Sequence, residues 1–470
     1  MRSAVVALAL SAVAANAQPP VPVRELAPTM VASSNYFANI FSVRPLTGGR
    51  VLVNDGIRRQ LVILDEQLAN PTILLDSVAV GGQGYGLRAQ PLIPYLADST
   101  LFVDGGSLSL LVIDPNGKIA HVMSAPKPND LRNLAISASG VDAQGNLIYR
   151  GPLQIAARAN TAPNAAPGFA PPAVQVPDSA PLLRANFDTR VVDTVSKLKV
   201  QSGNRPNIGM DPNGKVALKL IINPINTVDD WAVLSDGTIA LIRGHDYHVD
   251  VVTPDGKTFA APKLPFDWKR LSDADKQALI DSAKALQEKT VADAKANAAT
   301  PAAAAAAAQD AMFASLMSSF GGGGGGNGAP PGAGMGGIAF GGMGGGRGMD
   351  AGGGGGGGGM PPAMAAMIGT ITVDYVPLKE IADYYPAIRP GAAKADLDGN
   401  VWVLPTTSAQ SKAGELVYDV ISNRGELRYR VRLPSGRLIA GFGHRGVVYL
   451  MHRDGARGWL LERATVAPSA

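Results

Sequence analysis

The stretch Val233–Lys257, VLSDGTIALIRGHDYHVDVVTPDGK, reads as a strand, a tight turn, a second strand, a polar corner, a third strand and another tight turn. Ser235-Asp236-Gly237 turns the chain because glycine tolerates positive φ and aspartate bonds its own backbone. Thr238 to Ile242 is apolar at successive positions instead of alternating, the mark of a strand covered on both faces. Gly244, His245 and Asp246 are too polar for the same core. Val249, Val251 and Val252 form the next strand, and Pro254-Asp255-Gly256 turns the chain again. Strands joined by turns this short run antiparallel.

The same unit returns along the chain. Thr47-Gly48-Gly49 leads into Val51-Leu52-Val53, and Asn54-Asp55-Gly56 makes a corner before Gln60 to Asp65. Leu101-Phe102-Val103, the corner Asp104-Gly105-Gly106 and Leu110 to Asp114 repeat it. A third unit starts at Leu134 to Ser137, turns at Asp142 to Gly145 and gives Leu147-Ile148-Tyr149. Later copies turn at Asp398-Gly399-Asn400 and at Arg445-Gly446. The first turns, at Gly49, Ser99, Gly145, Gly237, Gly399 and Gly446, lie 50, 46, 92, 162 and 47 residues apart. The short intervals fit a propeller blade of roughly 40–50 residues. The long ones contract to that period once two compositionally odd inserts are removed.

Six four-stranded units close into a ring. The expected fold is therefore all-β: a six-bladed β-propeller of four-stranded antiparallel blades, with a helical and Gly-rich disordered insert. Blades are expected near 33–80, 85–124, 132–200 (interrupted at 151–181), 206–261, 385–433 and 437–466. The last unit has only three strands of its own, so a strand from near 23–32 is expected to close the ring. The stretches Leu52 to Leu68 (LVNDGIRRQLVILDEQL) and Leu101 to Ile119 (LFVDGGSLSLLVIDPNGKI) resemble NHL-type propeller repeats, and Ala395 to Leu404 (ADLDGNVWVL) is similar to their inner hairpin. The resemblance implies blade geometry; the superfamily hosts sensors, binders, lyases and lactonases, so it assigns no activity.

Met1-Arg2 precedes the apolar run Ala4 to Ala15, too short to span a bilayer, and Ala15-Asn16-Ala17 supplies a small-residue cleavage site. This reads as a signal peptide cut after Ala17, placing the mature chain (from residue 18) in the periplasm or outside the cell. The absence of cysteine excludes disulfides, thiolate metal sites and a cysteine nucleophile. A net charge of +4 without clustering of Lys and Arg argues against nucleic acid. Within the insert at 262–371, Leu271 to Asn297 reads as a helix with Ser272 and Asp275 as a capping box, and a second helix is expected over Ala302 to Phe320. Gln309 and Asp310 interrupt its alanine run, so no membrane span is expected. Gly321 to Gly359 has too little apolar surface to fold and reads as disordered.

Asp55, Asp104, Arg150, Arg243, His245 and His452 stand at or just after the end of a unit's second strand. In a propeller those ends gather around one mouth of the channel, where a polar ring could bind a ligand; the plainer reading is that they solvate corners. Two arginines favour an anionic ligand over a cation. Asp246, His248 and Asp250 alternate on one strand face, which would suit a divalent metal or, more simply, an exposed outer face. No complete catalytic set such as HExxH or GxSxG is present. The expectation is a binding protein with no cofactor, taking a small anion or a protein partner at that mouth. The alternative is a metal-dependent lactonase or lyase-like enzyme with a divalent cation in the channel. Both long inserts are expected on the same side of the ring as the polar mouth, because connections between second and third strands and connections between blades emerge at one end.

Overall fold

The computed structural model describes residues 21–467, apart from 78–83, 86–90, 105–106, 137–138, 154–155, 159–172, 176, 201–204, 211–215, 297–367, 408–411 and 413–414. Among the described residues, six sheets of four or five strands follow one another along the chain. Blade 1 spans Ile40 to Leu75, blade 2 Leu92 to Ser124, blade 3 Ser139 to Lys199, blade 4 Asp230 to Ala260, blade 5 Ala393 to Arg432 and blade 6 Arg437 to Thr465. Within each, strands run antiparallel from the inner to the outer.

Side-chain alternation explains the ring. In the second strand of blade 1, Leu52 points to blade 2 and packs near Phe102 and Leu111, while Val51 and Val53 point to blade 6 and meet Tyr449 and Leu461. In blade 2, Leu101 and Leu110 reach Leu147 and Tyr149 of blade 3. Ile148 and Leu182 of blade 3 meet Trp231 and Leu241 of blade 4. Ile242 and Val249 meet Val401 and Ile421 of blade 5, and Trp402 and Val420 meet Val448 and Leu450 of blade 6. Each second strand thus serves two apolar seams, which is why its sequence is apolar at successive positions. Six seams, returning from blade 6 to blade 1, make this a six-bladed β-propeller.

The ring is closed by the N-terminal segment. Val31–Ala32 pairs antiparallel with Gly458–Thr465 as the outer strand of blade 6. Upstream, Val23–Glu25 pairs in parallel with Leu427–Arg432 and adds a fifth strand to blade 5. The same segment therefore bridges blades 5 and 6. Arg24 lies 3.8 Å from the ring centroid of Tyr429, and Glu25 holds Arg432 at 2.6 Å.

Two sequence expectations are corrected. Residues 206–229, expected inside blade 4, stand outside it: Arg205–Met210 and Val216–Ile222 form a three-stranded sheet with Ile368–Tyr375. Strand patterning marks a half-buried strand without saying which sheet receives it. Leu134, expected in a strand, belongs to the 3₁₀ segment Pro128–Ile136, and the inner strand of blade 3 is Ser139–Val141.

The three-stranded sheet joins the connection between blades 3 and 4 to that between blades 4 and 5, so the two meet on one side of the ring. Helix α1, Asp273–Ala296, packs Ile280 against Val376 and Ile381 beside it. Ser272 caps α1, its Oγ accepting from the Asp275 N–H while Asp275 accepts from the Ser272 N–H. The second helix expected near Ala302 and the stretch Gly321 to Gly359 lie outside the described residues. No described helix is long and apolar enough to cross a membrane.

Candidate functional site

The inner strands begin, and the second strands end, at the face that carries the inserts. The opposite face carries the turns between inner and second strands. There the backbone is tightly meshed: a Cβ on Gly237, at φ +84°, would sit 2.6 Å from the backbone nitrogen of Ala143 in the next blade. Asp398 accepts from the N–H groups of Arg445 and Gly446 at 2.9 and 2.6 Å, pinning blade 5 to blade 6. A cleft of about 540 Å³ does open at that face, between the outer parts of blades 4 and 5, lined by Phe259, Thr253, Arg424 and Glu426. It lies at the rim, and its acid Asp236 is engaged by Asn423 at 2.9 Å, so the channel mouth on the insert face is the stronger candidate.

The sequence-selected residues do reach the insert face, with different fates. Asp55 is fully buried and accepts from the N–H groups of Ala38, Asn39 and Arg58 at 2.9, 3.2 and 3.1 Å. It ties the entry of the inner strand to its own corner. Asp104 accepts from the Ser107 hydroxyl at 2.6 Å. Arg243 is held at 2.7 Å by both Asp229 and Asp250 and donates to the Lys197 carbonyl at 3.0 Å, locking blade 4 to blade 3. His245 is exposed on the following loop. His452 lies on the second strand of blade 6, with Nδ1 3.2 Å from Glu462, which also holds Arg437. These residues do not converge as one ring.

The Asp246-His248-Asp250 face is a solvated ion chain. His248 Nδ1 lies 2.6 Å from Asp246 and Nε2 3.1 Å from Asp250, so both ring nitrogens are occupied. Lys263 approaches Asp246 at 3.4 Å. Among the described residues, no group of three or more His, Asp or Glu side chains is placed to hold a metal ion.

Arg150 is different. It ends the second strand of blade 3 and stands within electrostatic range of Asp230, the first residue of the inner strand of blade 4. Asp230 is buried, its oxygens accepting from the N–H of Trp231 at 3.0 Å and, across the seam, from the N–H of Ala393 at 2.8 Å. Burial outweighs these bonds and pushes its carboxyl up to about 6. Lys394, the next residue of the blade 5 inner strand, is the second cation near it. Ala393 and Ala395 face blade 4, so alternation places Lys394 on the other face, opposite Trp402. Burial lowers the pKa of Lys394 and of Arg150, with Asp230 pulling each back up. Lys394 is half-buried. Its ammonium makes no hydrogen bond or ion pair with any described residue.

Arg150 is the one sequence-selected residue that stands near Asp230 and Lys394, neither of which the sequence reading singles out. Both stand in segments legible only as strands. The available signal was a lone lysine between two alanines at an inner-strand position, AKAD, where neighbouring seams require apolar or small residues.

Below the seam between blades 4 and 5 a second buried network is closed on itself. Tyr247 donates to Asp419 at 2.7 Å and Arg430 holds the other oxygen at 2.6 Å. Arg430 also donates to the Pro265 carbonyl at 3.0 Å. With every group engaged, this network joins blades and leaves nothing for a ligand.

No protein-family model and no curated protein matches the chain. Among solved structures, the chain is similar to a gluconolactonase from Xanthomonas campestris, at 8% identity over 95% of this chain and 98% of that one, with a TM-score of 0.34. It is similar to a luciferin-regenerating enzyme at 9% identity over 93% and 95%, TM-score 0.34. A virginiamycin B lyase from Staphylococcus aureus aligns at 10% identity over 50% of this chain and 74% of that one, TM-score 0.25. The six apolar seams, independent of these likenesses, are what make the chain a propeller.

Proposed function

We propose that this chain is an exported β-propeller binding protein that takes a small anion at the insert-bearing mouth of its channel. The observation that carries the reading is the set Arg150, Asp230 and Lys394: two cations around one carboxylate, with the Lys394 donors unclaimed by described residues. The local charge is positive even when Asp230 is ionised. An ammonium and a guanidinium in a partly desolvated site hold an anion more strongly than at a free surface. Export rests on the stretch Met1 to Ala17, which lies outside the described residues.

The alternative, a metal-dependent lactonase or lyase-like enzyme, needs several carboxylates converging on the channel axis. Asp55 is committed to three backbone N–H groups, and the charges within electrostatic range of Asp230 are the cations Arg150 and Lys394. Calorimetric titration with inorganic phosphate and short dicarboxylates, alongside metal analysis of the purified protein, separates the readings. Saturable anion binding that weakens with salt supports the first; stoichiometric Ca²⁺ or Zn²⁺ with no anion binding supports the second.

A further inference from the structure

We infer that the connection from blade 4 to blade 5 carries a second binding site, an exposed corner of two aromatic rings, Trp268 and Tyr384, with Arg270 beside it, which takes an acidic sugar residue of a polysaccharide. It uses none of Arg150, Asp230 or Lys394.

Residues 269–271 and 383–385 form a short antiparallel ribbon in that connection. The Leu271 N–H donates to the Asp383 carbonyl at 2.8 Å and the Tyr385 N–H to the Lys269 carbonyl at 3.0 Å, with Arg270 opposite Tyr384 between them. The bonds flank the pair instead of joining it, so Arg270 and Tyr384 are a non-hydrogen-bonded pair, the kind whose side chains stand closest. Alternation puts Trp268 on the same face as Arg270. Its ring meets that of Tyr384 at 90°, with centroids 6.3 Å apart. Trp268 and Tyr384 are 43% and 45% exposed, yet the corner is braced from below. Trp268 packs edge to face on Phe266 at 4.8 Å, Phe266 on the fully buried Tyr247 at 5.5 Å, and Asp419 fixes the Tyr247 hydroxyl. The Asp267 carbonyl, beside Trp268, accepts from the Thr407 hydroxyl at 2.5 Å. Rings held in place before binding lose little freedom on binding.

The chemistry of the corner selects the ligand. Among the described residues, none engages the Trp268 indole N–H, the Tyr384 hydroxyl or the Arg270 guanidinium in a hydrogen bond or ion pair. Asp383, within electrostatic range of Arg270, is already held by Lys276 at 2.6 Å. A guanidinium beside the rings disfavours a cationic guest and favours a carboxylate. Two ring surfaces and three unspent donors suit a ligand with a rigid C–H face, a rim of acceptor oxygens and one negative charge. A pyranose ring bearing a carboxylate, the uronic acid unit of an acidic polysaccharide, has all three. An acidic peptide carries its charge on a flexible side chain, away from any rigid apolar face, and matches the corner less well.

The test titrates the full chain with tetragalacturonate and with its methyl ester, which keeps the sugar rings and loses the charge, by calorimetry and tryptophan fluorescence. The expected result is saturable binding of the acid, weaker for the ester and weaker at high salt. Trp268→Ala should weaken binding of both at least about 10-fold. Arg270→Ala should weaken the acid alone, so that acid and ester bind alike. These side chains are exposed, so melting temperatures should match the parent, and Trp268→Phe, with its smaller ring, serves if the alanine variant does not fold. Lys394→Met should leave the titration unchanged. Equal affinity in the parent and Trp268→Ala, or no binding by the parent, overturns the inference. Binding lost in Lys394→Met and kept in Trp268→Ala overturns it too, by moving the sugar acid to the channel mouth. An acidic proline-rich peptide that binds where the oligosaccharide does not would make the corner a protein-docking surface, and the saccharide assignment falls.

Discussion

The two faces of the ring are built from the same hairpins and treat charge in opposite ways. On the turn face, acids are consumed by the side chains and backbone N–H groups that surround them. Asp396 accepts from Asn400 Nδ2 at 2.8 Å and Trp402 Nε1 at 2.9 Å, and Asp142 accepts from the side chain and N–H of Asn146, both at 2.9 Å. Neighbouring turns are meshed there, as at Gly237 against Ala143. On the insert face most charges are consumed too, by Arg243 and Asp55 among others. Around Asp230, however, the Lys394 ammonium makes no hydrogen bond or ion pair with any described residue, and Arg150 stands within electrostatic range of the same carboxyl. The lesson is that position at a mouth does not make a site; unspent donors do.

The comparison can be broken first at the turn face, where the largest effects are expected. Trp402→Ala removes a fully buried ring from the seam between blades 5 and 6 and takes one hydrogen-bond donor from Asp396. The expected loss is about 3–5 kcal/mol, read by denaturant unfolding. A loss below about 1 kcal/mol would mean the seams do not carry the ring.

On the insert face, Arg243→Ala should cost about 2–4 kcal/mol, since Asp229 and Asp250 lose a shared, part-buried partner. It should leave anion binding nearly unchanged, opposite to what its place at the end of a second strand implies. Strong loss of binding with unaltered stability would restore Arg243 to the site.

Asp230 gives a pH signature. Its folded-state pKa, about 6, lies above the ordinary 3.8, so the folded protein holds this proton more tightly than the unfolded chain. Stability from this group is fully present below about pH 4 and falls by roughly 2–3 kcal/mol as pH rises through 6. Asp230→Asn should flatten that part of the stability–pH curve relative to the parent. An unchanged curve would show that the carboxyl is hydrated and the cluster open.

Removal of residues up to Ala32 takes away the outer strand of blade 6 and the parallel strand on blade 5 together. The bared edge should make the protein aggregate. Monomeric protein with an unchanged melting temperature would show that the ring closes without the segment.

The apolar seams were legible because a strand covered on both faces has no polar phase: TIALI and VLV each announce two neighbours. The turns were legible because positive φ and backbone-bonding aspartates leave few residue choices. The three-stranded sheet on the insert side was not, because 205–222 is patterned like any blade strand and its partner lies some 150 residues later, at Ile368–Tyr375. Arg150 was placed at the insert face by register alone. The commitment of Asp55 and Arg243 was hidden because it depends on residues brought together by folding, such as Ala38 with Asp55. Lys394 was hidden for the converse reason, since the want of a partner is visible only when every neighbour is placed.

The most direct measurement of the central claim is calorimetric titration of inorganic phosphate into the parent, Arg150→Ala and Lys394→Met at low and at high salt. The account predicts saturable binding in the parent, weakened at least about 10-fold by each substitution and by salt, with melting temperatures unchanged. Equal affinity in all three proteins, or no binding in the parent, would contradict it.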